Sequence, residues 1–334
     1  MSKSRFAWVW PVCGIILASL AFRVSPVLAQ SGDAVRVVLP HRVLFDISLP
    51  IYVAQEKGFF DKVGIKVTPL FARGGGEQVQ IVVSGDADIA IGTGLLAALS
   101  SLEKGAPLSI VSAEMTGLSD IFWYVKADSP IKNIEDLAGR KVGFSNPGSS
   151  SHLATLALVD WLKSKGLKPP EIFPGGSPPD QFTAVMTGQI DAGWSAPPFF
   201  LEEIKKGNIR ILFRGNELPG LSDLTIRVNL ARNDFIKARP EAMRSYLTAT
   251  KNALDFIFAQ PDEAVNIWIK HAKLKQPPDV VRESWKFYSP KSLVLAPILG
   301  IDRSLEDAVK FKFVKRPFSR EELNKAMNLS FVPK

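Results

Sequence analysis

The residues best suited to chemistry lie where short β-type runs stop and helix-like runs begin. "NPGSSSH" (Asn146 to His152) places Ser149, Ser150 and Ser151 at such a junction. Their hydroxyls can cap a helix. The same junction offers free N–H groups and the positive end of a helix dipole, which attract an anion. Gly92-Thr93-Gly94 holds the corresponding place earlier in the chain, where glycine lets backbone approach a ligand and Thr93 adds a hydroxyl. A third junction, "HRVLFDISLP", supplies Arg42, Phe45, Asp46 and Ser48. The Asp46 carboxylate suits an amine or a hydroxyl, and Arg42 or Arg73 can instead offset its charge. Trp194, just past "IDAG", stands at a fourth junction and reads either as packing or as an aromatic pocket wall. The candidate ligand contacts are thus Phe45, Asp46, Ser48, Arg73, Gly92, Thr93, Gly94, Ser149, Ser150, Ser151 and Trp194.

Catalytic constellations are harder to find. His41, His152 and His271 are the three histidines, and their spacing suits no metal. "GFSNP" (Gly143 to Pro147) resembles a nucleophile elbow but lacks its last glycine. No phosphate-cradling P-loop occurs. Neither cofactor nor metal is expected, and binding is favoured over catalysis.

The elements that position these junctions repeat. "VRVVLP" and "IKVTPLF" read as strands, the latter followed by the Gly74-Gly75-Gly76 turn. Pro50 is expected to open a helix that Gly58 ends. Val79, Val82 and Val83 form the apolar face of the next helix, which Gly85 stops before the strand "DIAIG". "LLAALSSLEKG" is a further helix. A second pass runs through "RKVGFS", "SSSHLATLALVDWLKSKG", a helix with Phe182, Val185 and Met186, then Gly188, "IDAGW", "PFFLEEIKKG" and "IRILFRG". Gly85 to Gly105 spans 20 residues and Gly188 to Gly207 spans 19, while Val37 to Gly85 spans 48 and Val142 to Gly188 spans 46. This spacing predicts two copies of one β-α-β design, each an open sheet with its ligand face beyond the C-terminal ends of its strands. "DIFWYVKAD" should carry the chain from one lobe to the other, and "LTIRVNLARND" should bring it back. Helices beyond Pro240 should pack on the first lobe, and Trp161 and Phe182 read as core.

The N-terminus carries Lys3 and Arg5, an apolar run from Val12 to Phe22, and Val27-Leu28-Ala29. That pattern is expected of a signal peptide cleaved after Ala29. Three of the cations behind the net charge of +8 fall in it, leaving +5, with no concentrated basic stripe for nucleic acid. The only cysteine is Cys13, so the exported chain must hold itself together by apolar burial.

"PIYVAQEKGFFDKVGIKV", "GDADIAIG", "IKNIEDLAGRKVGF", "NPGSSSHL", "MTGQIDAGW" and "ARNDFIKARPEAMRSYL" together resemble the nitrate/sulfonate/taurine-type substrate-binding proteins of ABC transporters. These share a fold with the thiamine-pyrimidine synthase-like group, and the resemblance covers residues 34 to about 270. It implies an α/β, two-lobed periplasmic-binding-protein fold of open mixed sheets flanked by helices, with two crossover strands as hinge. The segments expected are 30–124 for lobe 1, 125–226 for lobe 2, and 227–334 for the return to lobe 1 and the C-terminal helices. The implied role is capture of a small organic or oxyanionic solute in the cleft by a periplasmic monomer, for delivery to the membrane permease of an ABC importer. The alternatives are a secreted enzyme, a sensor module, or a protein binding a pyrimidine precursor. The synthases of the group are recognised by a cysteine-rich motif, and the chain after Ala29 has no cysteine.

Overall fold

The structure is a computed structural model that describes residues 34–72 and 75–334. The expected signal segment and Arg73 lie outside the described residues. Ala34–Leu39 (β1), Lys66–Phe71 (β2), Ile89–Gly94 (β3) and Leu108–Thr116 (β4) alternate with helices Phe45–Glu56 (α1), Phe59–Lys62 (α2), Gly75–Val83 (α3) and Leu95–Glu103 (α4). The second pass supplies Phe122–Lys126 (β5), Lys141–Phe144 (β6), Ser150–Ser164 (α5), Glu171–Pro174 (β7), Pro178–Met186 (α6), Gly193–Ser195 (β8), Leu201–Lys205 (α7) and Ile209–Arg214 (β9). The chain then returns through Thr225–Arg232 (β10) to Asn233–Ala238 (α8), Pro240–Ala259 (α9), Pro261–Ala272 (α10) and three shorter C-terminal helices.

The strand orders show why the sequence repeats. Lobe 1 is a five-stranded sheet, β2-β1-β3-β10-β4, in which β10 runs antiparallel to both neighbours. In lobe 2, β6 pairs with β7 and β5 pairs antiparallel with β8 and β9; a bridge from Val142 to Ala192 joins the two pieces. The resulting order, β7-β6-β8-β5-β9, matches lobe 1 strand for strand. Each lobe therefore receives its fourth strand just after the chain crosses over. The aromatic run of β5 and the apolar run of β10 lie within sheets. The crossings themselves are the short segments 117–121 and 215–224, the second opening with a 3₁₀ turn at Gly215–Glu217. These run side by side, with Gly117 N donating to Leu224 O, Gly215 N to Ile121 O and Asn216 N to Leu118 O.

The repeated G-x-x-D wording is structural. Asp88 N donates to Arg36 O, while the Asp88 carboxylate accepts Arg36 N at 2.9 Å. Asp191 N donates to Lys141 O, and its carboxylate accepts Lys141 N at 2.8 Å. Each aspartate thus clamps the matching strand of its lobe, β1 or β6. Gly85 and Gly188 take the same left-handed conformation before it, where a side chain would be strained. Gln78 and Gln181, each seven residues before that glycine, are fully buried. The Gln78 amide donates to Val38 O and Ile91 O, and that of Gln181 to Phe144 O, fastening helix to strand ends in both lobes.

One helix differs from expectation. Pro50 lies inside α1, which begins five residues earlier at Phe45. Ten of its residues, Phe45 to Ala54, are buried, and it packs against α9 and α10. Burial on all sides outweighs the missing N–H at Pro50.

Candidate functional site

Between the lobes lies a cavity of about 490 Å³, within the range of small-molecule sites. Lobe 1 reaches it with the loop after β1, the end of β3 and the start of α4. Lobe 2 contributes the loop from β6 into α5, the start of α6 and the end of β8. All are C-terminal strand ends, as an open α/β sheet requires. The lobes meet at one rim: a side chain on Gly94 would lie 2.6 Å from Gly148 O, so only glycine permits this approach. His41 meets Phe199 edge-on across the gap, at 5.3 Å between ring centres.

The candidate residues divide cleanly. Gly92, Gly94, Ser149, Ser150, Ser151 and Trp194 line the cavity. Ser149 is the N-cap of α5, its Oγ accepting from His152 N at 3.1 Å. Ser151 Oγ accepts from Ser145 N at 3.0 Å and so ties the end of β6 to that helix. Trp194 Nε1 donates to Gly176 O at 3.2 Å, which leaves its ring as a wall. Phe45, Asp46, Ser48 and Thr93 do not line the cavity. Phe45 stacks on Tyr288 at 4.2 Å inside lobe 1. Ser48 Oγ donates back to Leu44 O within α1. Thr93 is fully buried and its hydroxyl points to Gln78 Oε1 at 3.3 Å, because the pleat turns alternate side chains of β3 away from the cleft.

Asp46 is offset by an arginine that sequence reasoning missed. Arg227, on β10 and 5 % exposed, lies 3.0 Å from Asp46 Oδ2. It also donates through Nε to Glu114 Oε2 at 3.0 Å and through Nη2 to Asp120 Oδ2 at 2.7 Å. Tyr288 donates to Asp46 Oδ1 at 3.2 Å. One guanidinium thus serves three carboxyls, and Arg227 and Asp120 form part of the cavity wall. Burial, reinforced by the nearby Asp46 charge, pushes the Glu114 carboxyl well above its usual range. Burial also raises Asp120. For Arg227 burial opposes the charge, but the charges of Asp120, Asp46 and Glu114 outweigh it and hold the guanidinium protonated. The available signal was a charge inside each apolar run: Arg227 in "LTIRVNLA" and Glu114 in "LSIVSAEMT".

Two histidines border the cleft in neutral form. Burial lowers His41, and its Nδ1 has no hydrogen-bond partner. Burial lowers His152 to about 4. Its Nδ1 accepts Gly148 N at 3.1 Å, and its ring stacks on Phe144 at 4.3 Å, which fixes the loop that enters α5.

A family model described as NMT1/THI5 like matches residues 47–264. The 4-amino-5-hydroxymethyl-2-methylpyrimidine phosphate synthase of Uromyces fabae is 24% identical over 242 residues, covering 68% of this chain and 67% of its own. A putative binding protein of Brucella abortus is 28% identical over 227 residues, covering 66% and 67% respectively. Among solved structures, the alkanesulfonate-binding protein SsuA of Xanthomonas axonopodis pv. citri, bound to MOPS, superposes with a TM-score of 0.70 at 18% identity. That alignment covers 89% of this chain and 98% of SsuA, and it establishes the periplasmic-binding-protein fold.

Proposed function

The chain belongs to the NMT1/THI5-like family, and from that premise we propose that it is the extracytoplasmic solute-binding component of an ABC importer. It captures a small organic solute between its lobes, closes by bending at residues 117–121 and 215–224, and passes the solute unchanged to a membrane permease. The observation that carries this reading is the cavity itself. It is ligand-sized, sits where two matched sheets present their strand ends, and is spanned by two short crossings. Gly92, Gly94, Ser149, Ser150, Ser151 and Trp194 are the proposed contacts, joined by His41 and Asp120. Phe45, Ser48 and Thr93 act behind them as packing. Export with cleavage after Ala29, a periplasmic location and action as a monomer complete the proposal.

The fungal relative is named as a synthase, so an enzyme on this scaffold is the competing reading. A thermal-shift screen over sulfonates, nitrate, aromatic acids, amines and pyrimidines tests both. A solute present at 100 times its Kd adds about 2.7 kcal/mol to stability. The binding reading expects the stabilising solute to be recovered chemically intact after prolonged incubation and denaturation of the protein. Recovery of a converted product would replace it with the enzymatic one.

A further inference from the structure

Two C-terminal segments belong to lobe 1 yet reach onto lobe 2. The first is Pro278–Arg282 (α11) with the 3₁₀ turn Glu283–Phe287. Arg282 Nε pairs with Asp262 Oδ1 on α10 at 3.1 Å, and Trp285 Nε1 donates to Ile257 O on α9 at 3.2 Å, which fixes this arm to lobe 1. The second is Ile301–Lys310 (α12) and the turn after it. It packs against α4, and Lys315 N donates to Glu103 Oε1 at 2.6 Å.

Each arm then meets a different side of lobe 2. From the first, Asp279 Oδ2 pairs with Lys205 Nζ on α7 at 2.7 Å. The Arg214 guanidinium, at the end of β9, lies over the Phe287 ring at 4.5 Å and donates through Nη2 to Phe287 O at 3.3 Å. From the second, Lys310 pairs with Asp160 on α5. Phe313 meets His152 edge-on, at 5.5 Å between ring centres. His152 Nδ1 accepts Gly148 N, so this arm touches the loop that lines the cavity. Among the described residues, none from either arm lines the cavity itself.

Position makes these contacts sensitive to the angle between the lobes. Asp160 lies about 15 Å along α5 from Ser150 at the cavity, at roughly 1.5 Å per residue. Bending at 117–121 and 215–224 moves a point in proportion to its distance from those segments, so a pair this far out separates as the lobes part. We propose that the two arms form a clasp that stabilises the closed arrangement of the lobes, so that residues outside the cavity set part of the affinity for solute. The inference rests on the lobe closure of the proposed function and adds a control over it. Apparent affinity falls in proportion to the population of the closed form, so weakening the clasp weakens binding without altering one contact to the solute. The Lys205 and Lys310 side chains are each more than half exposed, so salt screens both pairs.

Dipolar spectroscopy on the solute-free protein tests the clasp, with spin labels at Gln80→Cys on α3 and Thr183→Cys on α6 in the chain that begins after Ala29. The distance distribution is expected to contain a minor short component at the separation of this structure. Reversing the lobe 2 side of both pairs, Lys205→Asp with Asp160→Lys, should reduce that component by about threefold or more. Adding Asp279→Lys and Lys310→Asp remakes both pairs in the opposite sense and should bring the component back. Should the reversed chain fail to fold, raising NaCl on the wild type from about 0.05 M to about 0.5 M should reduce the component by about twofold, and indifference to salt would overturn the clasp. A wild type without the short component, a component unchanged by the reversal, or one that the fourfold swap leaves unrestored would overturn it equally. No solute enters these measurements, so their outcome is independent of what the cavity binds. Failure of a saturating solute to shorten the distance would instead strike the solute-binding reading.

Discussion

The two lobes share a skeleton and differ in their lining. Strand order, the aspartate clamp, the left-handed glycine before it and the buried glutamine recur in both. On the cleft side the likeness ends. Lobe 2 presents Ser149 to Ser151, Gly176 and Trp194, a largely uncharged surface that includes the helix N-caps Ser149 and Ser177. Lobe 1 and its crossing present Arg227 and Asp120, backed by Asp46, Glu114 and Tyr288. Repeated residues therefore build the scaffold, and unrepeated ones set its chemistry. A repeat in a sequence locates a cleft, while the departures from the repeat say what the cleft prefers.

The largest effect expected of this asymmetry comes from Arg227→Met. It leaves the carboxylates of lobe 1 buried without a cation, and breaking a buried pair from one side costs about 3–5 kcal/mol. Urea unfolding measures it, and a loss below about 1 kcal/mol would mean that water or rearrangement already solvates the cluster.

The shared clamp makes a milder and graded prediction. Asp88 is buried and also holds the Arg36 guanidinium at 2.8 Å, whereas Asp191 is half-buried with Arg140 3.9 Å away. Asp88→Asn should cost about 1.5–3 kcal/mol, the scale of a charged hydrogen bond. Asp191→Asn should cost less than about 1 kcal/mol, as exposed pairs do. Equal losses would show that the clamp, rather than its burial, carries the energy. Ser149→Ala, the cap that only lobe 2 places at its cleft, should cost about 1 kcal/mol in the same assay.

One further effect vanishes at neutral pH. His152 is neutral in the folded protein down to about 4, against 6.5 when unfolded. Between those values the unfolded chain binds the extra proton, so this group lowers stability as pH falls through that window and contributes no slope above it. The difference in unfolding free energy between wild type and His152→Gln, followed from pH 7 to pH 4, should change over that window. A flat difference would contradict the assignment.

Much of the skeleton was legible. Glycine stops and short β-branched runs placed both passes of strands and helices, because those residues act locally. The cleft location followed from the same rhythm. What escaped depended on partners distant in sequence. Pro50 suggested a helix start, yet burial of α1 against α9 and α10 carried the helix back to Phe45. Thr93 and Ser150 looked equivalent, but the pleat hid the Thr93 hydroxyl against Gln78, 15 residues away. Asp46 looked like a ligand contact because its cation, Arg227, sits 181 residues later on the returning strand. Charges buried inside strand-like runs were the visible warning.

Lobe closure around an intact solute is the central claim, and one distance across the cleft tests it most directly. Gln80 on α3 and Thr183 on α6 are exposed on the two lobes, and Cys13 is the only native cysteine, so Gln80→Cys/Thr183→Cys can be spin-labelled in the protein that begins after Ala29. Electron–electron dipolar spectroscopy should give a broad, longer distribution without solute. With the solute identified by the thermal screen at saturation, the distribution should become shorter and narrower, and it should revert when the solute is dialysed away. Identical distributions with and without a saturating solute would contradict the account.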